Sequence, residues 1–262
     1  ESGDVMHWWH EPARGVRTKI CDDKLFLAYA AAEYVEYTGD ASVLDEAAPY
    51  LRDVPIPKGS HSVYADMRES ETRETLKQHI MRAFRSVELS PRGLVKMGGG
   101  DWNDGMDGVG AEGKGESVWC GMFAYYVAGR FLPYADGKDR EFLARLRATL
   151  RASAPICRDE KGYKRAFDDR GRQVGESGAD LLTAAWAVLC GWEKGESARA
   201  LLLSAYGRLY DQRKKLLRLL DPPFTDSSVG YIADYPPGVR ENGGQYNHAA
   251  VWFVRALFAA DL

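Results

Sequence analysis

Apolar residues recur at three- and four-residue intervals along most of this chain, and that spacing predicts helices. Leu25, Phe26, Tyr29, Ala32 and Val35 share one helical face, with Asp22-Asp23 placed to cap its start and Thr38-Gly39-Asp40 to stop it. Further helices are predicted over 42–51, 71–89, 117–134, 138–153, 179–191, 196–220 and 245–260, each bounded by glycine, proline or polar punctuation. Strand-like alternation is confined to short pieces near 93–97, 163–167 and 172–174. Long glycine- and proline-rich loops cover 1–21, 52–68, 91–116 and 221–244, and loops of that length in a helical domain usually carry function. The expectation is an all-α fold of stacked antiparallel helix pairs, as in an α/α toroid, with no linker dividing residues 1–262.

Composition narrows the partners. With 35 basic against 38 acidic residues and a net charge of -3, the chain has no electrostatic footprint for nucleic acid or an anionic membrane. No apolar run has the length of a membrane helix, and ESGDVMHWWHEPARG lacks the pattern of an export signal, so a cytoplasmic location is expected. The four cysteines, Cys21, Cys120, Cys157 and Cys190, lie far apart without CxxC spacing and read as buried free thiols. Seven tryptophans and fourteen tyrosines exceed what a core demands, and aromatic faces also serve as platforms for sugar rings.

Three loops concentrate the chemistry. In GGGDWNDGMDGVGAEGKGE, Asp101, Asp104 and Asp107 recur every third residue beside Trp102 and Asn103. An EF-hand reading matches Asp101, Asn103 and Glu112 but fails where Gly105 and Met106 replace a ligand and the obligatory glycine. The alternative is acid chemistry on a sugar, with a carboxyl protonating a glycosidic oxygen beside the low-dielectric wall of Trp102, on glycines that let backbone approach the ligand. Purely structural aspartates that satisfy turn amides remain the plain alternative. In HWWHEPARGVRTKICDD, His7 and His10 lack further metal partners, Trp8-Trp9 suit packing or a sugar platform, and Arg14, Arg17, Lys19, Asp22 and Asp23 suit either a polyhydroxylated ligand or a surface ion-pair cluster. In YPPGVRENGGQYNHAAVW, Arg240, Glu241 and Asn242 lie between two turns, and Gln245 and His248 open a helix whose amides can meet an anion.

Together, GDVMHWWHEPARGVRTKICDD, GLVKMGGGDWNDGMDGVGAEGKGESVW and GYIADYPPGVRENGGQYNHAAVW, with LLTAAWAVLCGW and LLDPPF between them, resemble glycoside hydrolase family 94 from end to end. That family comprises inverting phosphorylases of β-glucosides and the related region of cyclic β-1,2-glucan synthases, and the HWWH and GVRT forms look closest to the synthase branch. The resemblance implies an (α/α)6 barrel with its active site at one mouth. It implies Asp104 as general acid, Trp102 lining the sugar subsite, Arg17 and Asp23 holding the glucosyl unit, Glu241 binding sugar hydroxyls and His248 binding phosphate.

The implied reaction uses inorganic phosphate as co-substrate and needs no metal or organic cofactor. A phosphate dianion needs positioning, whereas an inverting hydrolase needs a second carboxylate to activate water. Hydrolysis by the same acid, with Glu241 or Asp23 as base, is the alternative activity, and a glucan-binding module without turnover is the alternative to an enzyme. Family members also carry an N-terminal β-sandwich and a late Thr-Gly-Ser stretch, neither of which this sequence contains, so an incomplete barrel in a fragment or truncated form is expected. The partners implied are a β-glucan or gluco-oligosaccharide, with a homodimer or a larger synthase as the assembly.

Overall fold

Most of the 3.6-residue periodicities become helices in a computed structural model that describes residues 2–262. The chain opens with strands β1 (Trp8–His10) and β2 (Arg14–Thr18), followed by helix α1 (Asp23–Thr38). Strands β3 (Ala47–Leu51), β4 (Ser62–Asp66) and β5 (Glu69–Thr75) precede α2 (Leu76–Arg85). Strands β6 (Val95–Lys96) and β7 (Glu116–Ser117) flank the glycine loop and lead into α3 (Val118–Phe131), α4 (Gly137–Ala152) and the single turn α5 (Ala154–Cys157). Four two-residue strands, β8 (Arg158–Asp159), β9 (Gly162–Tyr163), β10 (Ala166–Phe167) and β11 (Gln173–Val174), come before α6 (Leu181–Leu189) and α7 (Gly195–Leu209). The hairpin β12 (Tyr210–Asp211) and β13 (Leu216–Leu217) precedes α8 (Asn247–Ala259).

Side chains at the helix ends explain the boundaries. Thr75 and Gln78 form a reciprocal capping box at α2, Ser117 accepts from the Cys120 amide at α3, and Asp180 accepts from the Thr183 amide at α6. Gly39, at φ 73°, ends α1 by donating its amide to the Val35 carbonyl. Asp22 stands at the N-cap position of α1, but its carboxyl makes no capping bond and is buried instead.

The all-α expectation is corrected. Eight helices form the scaffold, but thirteen short strands occupy much of the loop sequence among the described residues. The segment 42–51 ends as β3, whose antiparallel partner is β5, because the polar, Thr- and Glu-rich run before Leu76 is extended and does not continue α2. The segment 196–220 is helical only to Leu209, after which the Asp211 carboxylate accepts from the Arg213 and Lys214 amides and turns the chain into a hairpin. β1, β2 and β4 form a three-stranded antiparallel sheet where a loop was expected, and β11, β10, β7 and β6 form a four-stranded one.

Helices α3 and α6 are the centre. Ten of the fourteen residues of α3 and eight of the nine in α6 are buried. α1 and α4 pack on α3, α3 packs on α6, and α7 and α8 pack on the other sides of α6. Trp119, Phe123, Trp186 and Trp252 interlock between these helices, with Trp186 edge-on to the other three rings at centroid separations of 5.0 to 6.4 Å. All four cysteines are buried, unpaired thiols. No helix among the described residues is long and apolar enough to cross a membrane.

A second, smaller apolar cluster lies beneath the glycine loop and contains Met97, Met106, Val109, Leu220, Val229 and Ile232. It anchors the loop to the segment that follows the cis peptide Asp221-Pro222. The glycines serve this packing: a Cβ on Gly108 would stand 2.4 Å from the Ser228 carbonyl oxygen, and one on Gly105 would press on Ile232. Backbone approaches backbone here, where the sequence suggested approach to a ligand. Trp186→Ala should lower unfolding stability by about 3–5 kcal/mol, read as a shifted denaturant midpoint, because the fully buried ring leaves a cavity between helices that cannot close.

Candidate active site

The three aspartates of DWNDGMD have three different environments. Asp101 is fully buried and accepts two hydrogen bonds from Arg165, at 2.6 Å to each oxygen, one from the Ser117 hydroxyl at 2.5 Å and one from the Asn103 amide at 3.0 Å. Asp107 accepts from the Tyr231 amide at 3.1 Å and ties the loop to the 231–234 turn. Asp104 alone keeps its carboxyl 41% exposed, at the start of the short 3-10 turn Asp104–Met106.

Arg165 carries the anchoring charge. Burial opposes its charge, but Asp101 and Asp180 outweigh that and hold it protonated, with Asp180 3.4 Å from its Nε. The residue comes from the 158–167 segment of paired short strands, so loop 98–116 is fixed to elements distant in sequence.

His7 lies directly against Asp104. Its Nδ1 is 2.8 Å from Asp23 Oδ1 and its Nε2 is 3.2 Å from Asp104 Oδ2. Two carboxylates accept and neither donates, so both ring nitrogens carry protons and the ring is an imidazolium. The hydrogen bonds to Asp104 and Asp23 raise its pKa from 6.5 to about 10. Asp23, in the first turn of α1, also accepts from the Thr18 hydroxyl at 2.6 Å, which fixes it on its other oxygen. Next to it in the chain, the Asp22 carboxyl is pushed well above the usual carboxylate range by burial and then by Asp101 and Asp23.

Trp102 connects the loop to α8. Its indole N–H donates to His248 Nδ1 at 3.0 Å, and because indole can only donate, the His248 proton is on Nε2. Burial lowers the His248 pKa, so this ring is neutral and presents one N–H. Tyr246 packs edge-on to Trp102 at 5.0 Å. Glu241 is 14% exposed with Oε2 3.3 Å from Arg240 Nε. Burial, then Asp104, raises the Tyr231 pKa to about 12, with Glu241 contributing, and Tyr246 is shifted upward by burial and the same two carboxylates. Asp104 and Glu241 thus both lie near enough to Tyr231 and Tyr246 to disfavour their phenolate forms.

The structure thus brings together Asp23, Trp102, Asp104, Glu241 and His248. Arg17 is not brought to them: its guanidinium is held by Asp4 at 2.6 Å and by the Val54 carbonyl at 2.7 Å. Two hollows of about 630 and 400 Å³ lie beside the cluster, the first lined by Asp168, Asp169 and Phe224 and the second by Trp9, Arg17 and Tyr50, while the cluster itself is open to solvent. His7 and His10 do not converge, since His10 hydrogen-bonds to Tyr64, and no group of three metal-binding side chains forms among the described residues. Sequence reasoning missed His7, Tyr231 and Tyr246 as neighbours of Asp104. Only the HWWH run hinted at His7, and its reach to residues 23 and 104 is a tertiary fact.

Residues 2–259 match the family model described as glycosyl hydrolase 94 superfamily, catalytic domain. The chain is 36% identical over 274 aligned residues to the cyclic beta-(1,2)-glucan synthase NdvB of Rhizobium meliloti, covering 99% of this chain and 10% of that protein. It is 30% identical over 253 residues to the solabiose phosphorylase of Paenibacillus borealis, covering 90% of this chain and 30% of the relative. An N,N'-diacetylchitobiose phosphorylase of Vibrio furnissii is 26% identical over 91% of this chain and 29% of its own length. The chain therefore spans about a tenth of the first relative and under a third of the other two.

Two measurements follow from the buried charges and from His7. Arg165→Met leaves Asp101 buried and unpaired and should cost about 3–5 kcal/mol of stability, measured by denaturant unfolding. The His7 ring should show no NMR titration between about pH 6 and 8 and a midpoint near 10. Because its folded pKa is raised, its contribution to stability is complete below pH 6.5 and is lost as pH rises through about 10.

Proposed function

Because the chain belongs to the glycosyl hydrolase 94 superfamily, we propose that it catalyses inverting phosphorolysis of β-glucosidic bonds, releasing α-glucose 1-phosphate and a shortened glucoside. The observation that carries this reading is the convergence of Asp104 with Trp102, Glu241 and His248 from two loops 120 or more residues apart in sequence. In it, residues 1–262 form a single catalytic domain whose helices belong to an (α/α)6 barrel. The favoured substrate is a β-1,2-linked glucan, by analogy with the synthase that resembles the chain over nearly its whole length.

Asp104 is the general acid. Its carboxyl is 41% exposed and is aimed by His7, which Asp23 holds in turn. Covering this carboxyl with a sugar removes its water, which disfavours the charge. A shift of the His7 Nε2 proton onto Asp104 then produces a neutral acid beside a neutral imidazole. A phosphate oxygen forms the new bond to the anomeric carbon from the opposite face. The glycosidic C–O bond breaks with its electrons moving to oxygen, and that oxygen takes the Asp104 proton.

Trp102 offers a wall for the sugar ring, and Glu241 accepts from hydroxyls. Phosphate meets the Nε2–H of His248 in the first turn of α8, a thirteen-residue helix whose N-terminus has no side-chain cap. Hydrolysis is the less favoured reading because Asp23 is held on both oxygens, by His7 and Thr18, and Glu241 is ion-paired with Arg240.

The test is release of glucose 1-phosphate from β-1,2-gluco-oligosaccharides with and without inorganic phosphate. Product should depend on phosphate and fall by about 10²–10⁴ in Asp104→Asn, with His7→Asn losing kcat more than KM. Free glucose formed without phosphate would replace this reading with hydrolysis. Glucan binding without product would leave a binding module.

A further inference from the structure

The antiparallel sheet of β1, β2 and β4 splits the Trp8-Trp9 pair between its two faces. On one face, Trp8, Val16 and Tyr64 stand in register across the three strands, and the next row is His10, Arg14 and Asp66. The Trp8 and Tyr64 rings are 5.7 Å apart and remain 48% and 45% exposed. Polar groups rim them: Arg14 lies 4.5 Å over the Tyr64 ring and pairs with Asp66 at 2.9 Å, and His10 hydrogen-bonds to the Tyr64 hydroxyl. In the other direction along β2, the same face carries Thr18, the residue that holds Asp23 beside His7 and Asp104. Val16 and Thr18 are roughly 7 Å apart along the strand, and His7, next to Trp8 in the chain, contacts Asp104 through its ring.

We propose that Trp8, backed by Tyr64, is a distal subsite for the outer pyranose rings of a gluco-oligosaccharide whose reacting end lies at Asp104; this rests on the phosphorylase reading above. An exposed indole ringed by a guanidinium, a carboxylate and an imidazole matches the two sides of a sugar, an apolar C–H face and a rim of hydroxyls. A protein partner is the weaker fit, because the patch is narrow and its rim is charged. Continuity with the acid along one strand face selects the occupant. A chain long enough to run from Asp104 along β2 reaches Trp8, and a short one does not.

The experiment compares kcat/KM, with phosphate, across gluco-oligosaccharides of increasing length in the linkage the protein turns over. Trp8→Ala should lower kcat/KM for the longest substrates by about tenfold and leave the shortest within about twofold. Trp8→Phe should recover most of the loss, and Trp9→Ala, on the opposite face, should leave the length dependence unchanged. Equal losses at every length, the same loss in Trp9→Ala, or no loss in Trp8→Ala would each overturn the proposal. If the wild type turns over no oligosaccharide, the phosphorolysis reading fails, and calorimetric binding of the longest oligosaccharide decides the subsite. There, about tenfold weaker binding in Trp8→Ala with unchanged binding in Trp9→Ala supports it, and equal binding by both variants and the wild type overturns it.

Discussion

A guanidinium removed from water must be answered by carboxylates, and the answer to Arg165 organises the site. Its bidentate bond to Asp101 and its contact with Asp180 join the glycine loop, the strand pair β7–β10 and the cap of α6. Desolvation makes such a cluster costly to form and more costly to break, so it specifies geometry more than it adds stability. With Asp101 committed, the backbone of DWND is fixed, and Asp104 three residues later emerges at a defined place.

The same few residues show how environment divides one residue type into several roles. Asp101 is buried with a counter-charge, Asp22 is buried without one and has its pKa pushed up, Asp107 binds a backbone amide, and Asp104 faces solvent with an imidazolium behind it. Only the last has both a transferable proton nearby and room for a ligand. The paired histidines divide in the same way. His7 is charged because two carboxylates flank it, and His248 is neutral because partial desolvation lowers its pKa while its Nδ1 accepts from an indole.

Tight loop packing complements this electrostatics. The small apolar cluster under the loop, with Met106, Val109 and Ile232 at its centre, lets the glycine backbone rest against residues 228–232 with no room for a Cβ at Gly108. The loops that carry the chemistry are thus held as firmly as core, on a helical base whose buried tryptophans interlock. In the proposed reaction, that rigidity preorganises the acid.

The sequence by itself determined the helices whose apolar periodicity is long, the three loops rich in carboxylates, aromatics and glycine, and the family resemblance from which Asp104, Trp102, Glu241 and His248 are proposed as site residues. These were legible because periodicity and motif are local properties of the chain. It could not show the strands at 47–51, 62–66 and 69–75, since short polar strands exist only through their partners. Nor could it bury Asp101 against Arg165, turn Arg17 toward Asp4, or place His7 between two carboxylates. Those outcomes depend on contacts between residues far apart in sequence, where burial and counter-charge decide protonation and position, and tertiary structure alone supplies them.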